Sequence, residues 1–204
     1  MNLPFQSQIL GQFMLAGMLE VVVMPNPYPQ SFLELYTALS PCIAADLGSG
    51  KRSMPGLISM DYLHHPDSSL QGDVLCLPFK DDGIDLILSQ ATLEHVTNPD
   101  LAMQEMFRVL KPGGILYVEI AFMQPVHLAP HHYFNVTPYG LTWMLRDWDV
   151  IDQGTLGTFQ QVMDELCKEV GFVTPSNHTR RIRYPDQYPA VAYGVYAAAR
   201  KPVT

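Results

Sequence analysis

Apolar residues gather into four short continuous runs: CIAADL (42–47), LISMD (57–61), GIDLILS (83–89) and GILYVEIA (114–121). Runs of this length, without a polar face, suit strands of a parallel sheet covered on both sides. Between and after them the spacing changes to that of helices. NPDLAMQEMFRVLKPGG predicts a helix with Asn98 as cap, Pro99 at the first position and Pro112-Gly113-Gly114 as its end. Met103, Met106, Phe107 and Leu110 share one face of it, and Gln104, Glu105 and Arg108 lie elsewhere. TFQQVMDELCKEVGF predicts a second helix, striped by Phe159, Val162, Met163, Leu166 and Val170 and stopped by Gly171. TPYGLTWMLRDW predicts a third, with Thr137 as cap. AVAYGVYAAARK alternates weakly and reads as a strand, with TRRIRY as its antiparallel neighbour.

Strands alternating with helices give an α/β fold around a mostly parallel sheet. Ligands of such sheets bind beyond the carboxyl ends of the strands. Those ends are Gly48 to Gly50, Asp61, Ser89 to Glu94, and Phe122 onward. Gly48 and Gly50 let the backbone turn sharply and approach a ligand, and an acid closing the next strand, Asp61, can accept from a ribose diol. A dinucleotide also needs a helix N-terminus under its pyrophosphate. KRSMPG leaves room for no more than a turn, and Arg52 stands where a third glycine is wanted. The loop therefore points to a nucleoside ligand without phosphates.

The 204 residues fit one domain with a substantial core, and 48% hydrophobic against 16% charged residues is a globular balance. A formal charge of −8 disfavours nucleic acid as a partner. Arg180, Arg181 and Arg183 are the only basic cluster and read as a solvated strand edge. Cys42, Cys76 and Cys167 are widely spaced, with no CxxC, as expected of reduced thiols in a cytoplasmic protein. ILGQFMLAGMLEVVV is apolar, but it carries Gln12 and Glu20 and is short for a membrane span. It is expected to form part of a helical cover over residues 1–40, ahead of the main domain at 41–204, and to offer a homodimer interface.

Taken together, DLGSG, SMDY, GDVLCLPFKDDGIDLILSQATLEHV and EMFRVLKPGGILYVEIAF resemble, in order and spacing, the class I S-adenosylmethionine-dependent methyltransferases of the broad type 11 kind. The resemblance covers about residues 42 to 122. GSGKRSMPGLISMD also resembles a subgroup with a short first crossover, often met near surface-glycan biosynthesis. It implies a Rossmann-like fold, with a mostly parallel seven-stranded sheet flanked by helices. It also implies S-adenosylmethionine as cofactor and methyl transfer to a hydroxyl or amine of a small molecule or glycan precursor. Carried over by position, Gly48, Ser49 and Gly50 lie along the amino-acid tail, and Asp46 meets the ammonium. Asp61, with Tyr62 beside it, holds the ribose. Asp73 accepts from the adenine amino group and Val74 offers a backbone N–H. Ser89 and Gln90 border the methionine, and His95 steadies the loop beside the cofactor. The plain alternatives are a turn cap for Asp46 and an ordinary turn residue for Asp73. Lys51-Arg52-Ser53 depart from the family's small residues at this point.

Methyl transfer is an in-line displacement that mainly needs alignment and exclusion of water. A base is needed where the acceptor arrives as a hydroxyl. FMQPVHLAPHHYFNVTPYGL, after the fourth apolar run, supplies three histidines. His127 is the first candidate for the base and His132 the second, with Tyr133 and Asn135 as orienting groups and Glu94 as a contact to the acceptor. No metal is expected: adjacent His131 and His132 point different ways, and no acid nearby in this stretch completes a ligand set. The competing function is a module of the same fold that binds the cofactor and regulates without turnover.

Overall fold

We analysed a computed structural model, which describes residues 26–41, 43–169 and 192–203. Seven strands form one sheet in the order β3-β2-β1-β4-β5-β7-β6. They are β1 (Ala44–Leu47), β2 (Leu57–Asp61), β3 (Leu70–Gln71), β4 (Ile84–Gln90), β5 (Leu110–Ala121), β6 (Asp149–Leu156) and β7 (Gly194–Arg200). The first five run parallel; β7 lies antiparallel between β5 and β6. The order reverses between β1 and β4, which opens a crevice at their carboxyl ends.

Both faces of the sheet are covered, which is why the central strands lack a polar face. One side packs α1 (Gln30–Leu39) through Phe32, which is fully buried against Ala44, Leu57, Leu86, Leu88 and Tyr117. The other packs α2 (Pro99–Val109) through Ala102, Met103, Met106 and Val109 onto Ala45, Ile87, Leu116 and Val118. Each large apolar side chain so buried contributes roughly 1.5–3 kcal/mol. Two further helices, the short α3 (Pro138–Met144) and α4 (Phe159–Glu169), follow β5 and β6.

The caps are those expected. Asn98 Oδ1 accepts from Leu101 N at 3.1 Å, and Thr137 Oγ1 accepts from Gly140 N at 3.0 Å. The end of α2 differs from expectation. It stops at Val109, and Leu110 is already extended and buried as the first residue of β5. The pull of the sheet, where Ile84 pairs with Leu110, ends the helix before Pro112-Gly113-Gly114 is reached.

Between β1 and β2 there are only turns, so the first crossover is short, as the loop sequence requires. β6 has no apolar run behind it. Its residues are exposed or half-buried because it is the sheet's edge, and its place is set by pairing with β7. In α4, Val162 is buried as expected, but Leu166 is 41% exposed. The expected helix over the N-terminal apolar stretch, Cys42, Val170, Gly171 and the TRRIRY strand lie outside the described residues. Both lateral edges of β7 are taken by β5 and β6. No helix among the described residues is long and apolar enough to cross a membrane.

Candidate active site

The glycine loop leaves β1 with Gly48 and Gly50 both at positive φ, 77° and 56°. Only glycine adopts these angles without strain, so the turn requires them. Their surroundings differ. A Cβ on Gly48 would meet Thr92 Oγ1 at 2.1 Å; on Gly50 it would meet nothing within 4 Å. Gly48 is therefore bare so that the loop after β4 can pack against it, and Thr92 Oγ1 donates to Leu47 O at 3.1 Å in the same contact. Gly50 is the position that leaves space for a ligand. The backbone N–H groups of Gly48 and Ser49 both donate to Met60 O, at 2.8 and 3.0 Å, which holds the loop to β2.

Asp61, at the end of β2, accepts from Gly50 N through Oδ2 at 2.7 Å and from Leu63 N through Oδ1 at 2.9 Å. Each carboxylate oxygen carries two lone pairs. The side chain thus fixes the loop and keeps acceptor capacity for a diol. Tyr62 beside it is 70% exposed. Asp73 turns the chain through Oδ1 to Leu75 N at 2.9 Å, with Cys76 N on Asp73 O, and Val74 is buried.

Asp46 is fully buried at the centre of the crevice floor. The sequence reading gives its carboxylate to an ammonium. In the structure Arg52 takes both oxygens, Nη2 to Oδ1 at 2.9 Å and Nε to Oδ2 at 3.1 Å. Arg52 Nη1 also donates to Gln90 Oε1, and its guanidinium lies 5.5 Å from the centre of the Tyr28 ring. Gln90 Nε2 donates to Glu119 Oε2 at 2.8 Å, and Tyr117 donates to Glu119 Oε1 at 3.1 Å. A buried polar network thus runs from β1 through the loop to β4 and β5. Burial raises the Asp46 carboxyl to about 6 despite the guanidinium beside it, and burial likewise raises Glu119. Arg52 and Glu119 were not singled out as network members from sequence. The departure at Lys51-Arg52 was the available signal for the first; Glu119 sits inside an apolar run and gave none.

Ser49 and Ser89 are buried, and neither hydroxyl has a hydrogen-bond partner. Unsatisfied buried polar atoms are uncommon and ask for an explanation. Here two of them flank the glycine loop and the end of β4. With the space at Gly50 and the spare capacity of Asp61, they make the crevice a fit for a nucleoside with a polar tail. The fit differs from the family pattern at one end, where Arg52 holds the carboxylate expected to receive the ammonium.

Past β4 the chain turns through Ala91, a non-glycine residue at φ 52°, into a short 3-10 turn at Leu93–His95. The histidine loop folds onto that turn: Tyr133 N and Phe134 N both donate to Glu94 O, at 2.8 and 3.3 Å. The rings of His95 and His127 lie 4.9 Å apart, and His132 is 4.2 Å from His127. His132 is fully engaged by the loop. Its Nδ1 accepts from His127 N at 3.1 Å, and its Nε2 faces Phe134 O and Asn135 Oδ1, each at 3.2 Å. His127 differs, since only its Nδ1 is engaged, by Pro125 O at 3.0 Å. Glu94 is 1% exposed with neither carboxylate oxygen partnered, and burial raises its carboxyl to about 7. Burial also lowers His95 below the usual imidazole range. The acid that the histidine stretch lacks in sequence is brought to it by the turn after β4.

Residues 53–118 match the family model described as a methyltransferase domain. A protein of Encephalitozoon cuniculi (strain GB-M1) named as a methyltransferase is 39% identical over 98 residues, covering 41% of this chain and 47% of its own length. The ubiquinone/menaquinone biosynthesis C-methyltransferase UbiE of Shewanella pealeana is 45% identical over 112 residues, covering 50% of this chain and 44% of its own length. The chain thus spans less than half the length of either relative. A solved structure of Burkholderia thailandensis 1,6-didemethyltoxoflavin-N1-methyltransferase, with 1,6-didemethyltoxoflavin and S-adenosylhomocysteine bound, has the same fold. Its TM-score is 0.57 at 14% identity, over 83% of this chain and 76% of that one.

Proposed function

We propose that this chain is a class I S-adenosylmethionine-dependent methyltransferase that transfers a methyl group to a small-molecule acceptor at the crevice between β1 and β4. The observation that carries this is the pairing of an open space at Gly50 with a carboxylate, Asp61, hydrogen-bonded to that same residue's backbone. A sugar diol placed there meets bare main chain and a charged acceptor together. The bound cofactor supplies an activated methyl group on a sulfonium.

The chain's own residues have four tasks. Asp61 accepts from the ribose hydroxyls, and Asp73 with the backbone of Val74 reads the adenine edge. Ser49 and Ser89, unpartnered at present, and Gln90 border the methionine. Arg52 uses three of its five N–H groups on Asp46 and Gln90, which leaves two for the carboxylate of the amino-acid tail. The Asp46–Arg52 pair thereby serves the acidic end of the cofactor, and Asp46 acts through Arg52. Those four tasks need alignment and exclusion of water, and Gly48 packed on Thr92 keeps the loop in register for them.

On the acceptor side, His127 Nε2 is the nitrogen free to take a proton, and His132 holds the loop in place for it. An acceptor that arrives as a hydroxyl or amine would lose its proton to that nitrogen as it takes the methyl group, whose bond to the sulfonium sulfur breaks in the same displacement. Val126, Leu128 and Tyr139 are 70%, 63% and 76% exposed around the histidine loop, which favours an acceptor with an apolar body. The relative named as a C-methyltransferase supports a second reading, an acceptor carbon made nucleophilic by loss of a neighbouring hydroxyl proton. The same nitrogen serves both.

Calorimetric titration with S-adenosylhomocysteine tests the cofactor part. Binding is expected in the unaltered chain, and Asp61→Asn is expected to weaken it by roughly 1–3 kcal/mol. Equal affinity in the two proteins refutes the ribose role. Binding without methyl transfer to any acceptor in a broad screen favours a regulatory module instead.

A further inference from the structure

Glu94, His95 and His127 come from two separate loops, yet one ligand-type atom from each lies within 4.8 Å of those of the other two. Their hydrogen bonds sort the atoms. His95 Nδ1 is 2.7 Å from His131 O, and His127 Nδ1 is 3.0 Å from Pro125 O. A carbonyl oxygen only accepts, so each ring carries its proton on Nδ1 and presents a bare lone pair at Nε2. That is the arrangement of metal-binding imidazoles, whose second N–H is fixed by a carbonyl or carboxylate. Glu94 adds a buried carboxylate with no hydrogen-bond partner on either oxygen. An unpaired buried acid is costly unless a proton or a cation belongs beside it.

We propose that Glu94, His95 and His127 form a binding site for one divalent first-row transition-metal cation, zinc in the first instance. Two imidazoles and one carboxylate suit zinc or iron(II), whereas magnesium and calcium call for oxygen ligands throughout. Three protein ligands leave a coordination position open, as in catalytic sites. His132 is excluded by its own bonds, since both its nitrogens are engaged within the loop. Closing onto a cation at about 2.0–2.1 Å needs a small inward shift of the histidine loop. The inference rests on this geometry, and in the proposed reaction it gives the open position to the acceptor's oxygen. A cation there would lower the pKa of that hydroxyl so that its proton leaves to solvent; His127 is then a ligand while the cation is bound and a base only in its absence.

The test uses untagged full-length protein stripped with a chelator, titrated with zinc chloride by calorimetry and with cobalt(II) by its visible absorption. One equivalent is expected to bind in each case. Glu94→Gln, His95→Ala and His127→Ala are each expected to weaken binding about tenfold or more. His131→Ala, which keeps the backbone carbonyl that His95 uses, is expected to keep the one-equivalent stoichiometry. Glu94→Gln preserves shape, and its circular dichroism and thermal midpoint show whether it folds. The proposal fails if no saturable equivalent binds, or if a folded Glu94→Gln binds like the unaltered chain. It fails equally if binding is lost only on changing His64 and His65. Titration with S-adenosylhomocysteine in the same preparations reads the cofactor site independently, so the two readings can fail separately.

Discussion

At the scale of single residues, Asp46 shows how burial and charge compete. It is fully buried and doubly bonded to Arg52, and its carboxyl still sits at about 6, above the ordinary 3.8, because desolvation outweighs the guanidinium. The sign for stability follows. Between these two values the folded state holds a proton that the unfolded chain has lost, so stability falls as pH rises through that window and levels off above it. Asp46→Asn removes the titrating group. The difference in urea midpoint between Asp46→Asn and the unaltered chain is expected to grow in favour of the variant from pH 4 to 6 and then stay constant. A flat difference across that range would count against the raised carboxyl. Asp61 illustrates a different case: it fixes the loop through Gly50 N and still has acceptor capacity to spare, which is what the proposed ribose contact would use. Glycine at 48 and glycine at 50 look alike in sequence. Thr92 fills the space at one and leaves the other open, and only long-range packing makes that distinction.

At the scale of elements, the caps and breaks written into the sequence explain most boundaries. Asn98 before Pro99 starts α2, and Thr137 before Pro138 starts α3, each with the side-chain bond its residue type predicts. Asn98→Ala is expected to cost about 1 kcal/mol, read as a lower thermal midpoint with an unchanged fold by circular dichroism. A midpoint equal to that of the unaltered chain would show that the bond to Leu101 contributes nothing. Where local signals lost, a tertiary contact won. α2 yields to β5 three residues before its proline because pairing with Ile84 buries Leu110 completely. β6 escaped detection because an edge strand needs no apolar run, only a neighbour with free N–H and C=O groups. The catalytic candidates divide in the same way. His127, His132 and Glu94 were legible as candidate residue types on two loops that the structure brings together. That His132 is a strut and His127 a free nitrogen depends on where two loops meet.

At the scale of the whole molecule, the sheet is most protected in the middle and least at its edges. β1 and most of β4 and β5 are buried, β3 has two residues, and β6 is exposed along its first half. Hydrogen exchange is expected to be slowest in β1, β4 and β5 and fastest in β3 and β6. Protection of β6 equal to that of β4 would mean that something covers this edge in solution. The long-range order of strands sets the crevice, because the reversal between β1 and β4 is what separates their loops. The sequence by itself determined the α/β class, the apolar runs 42–47, 57–61 and 83–89 that form strands at 44–47, 57–61 and 84–90, the short first crossover and the loops that carry the candidate site. Those features follow from local spacing: apolar runs, glycine and proline positions, and caps, all read within a few residues. Only the tertiary structure decided that Arg52 holds Asp46, that Thr92 claims Gly48, and that Glu94 and His95 meet His127. Two of these join segments far apart in the chain, and the third, Arg52 on Asp46 six residues away, depends on the sheet and loops that bury the pair; what fixes each is the sum of the packing around it, which offsets the cost of desolvating charge. No local pattern encodes such a sum.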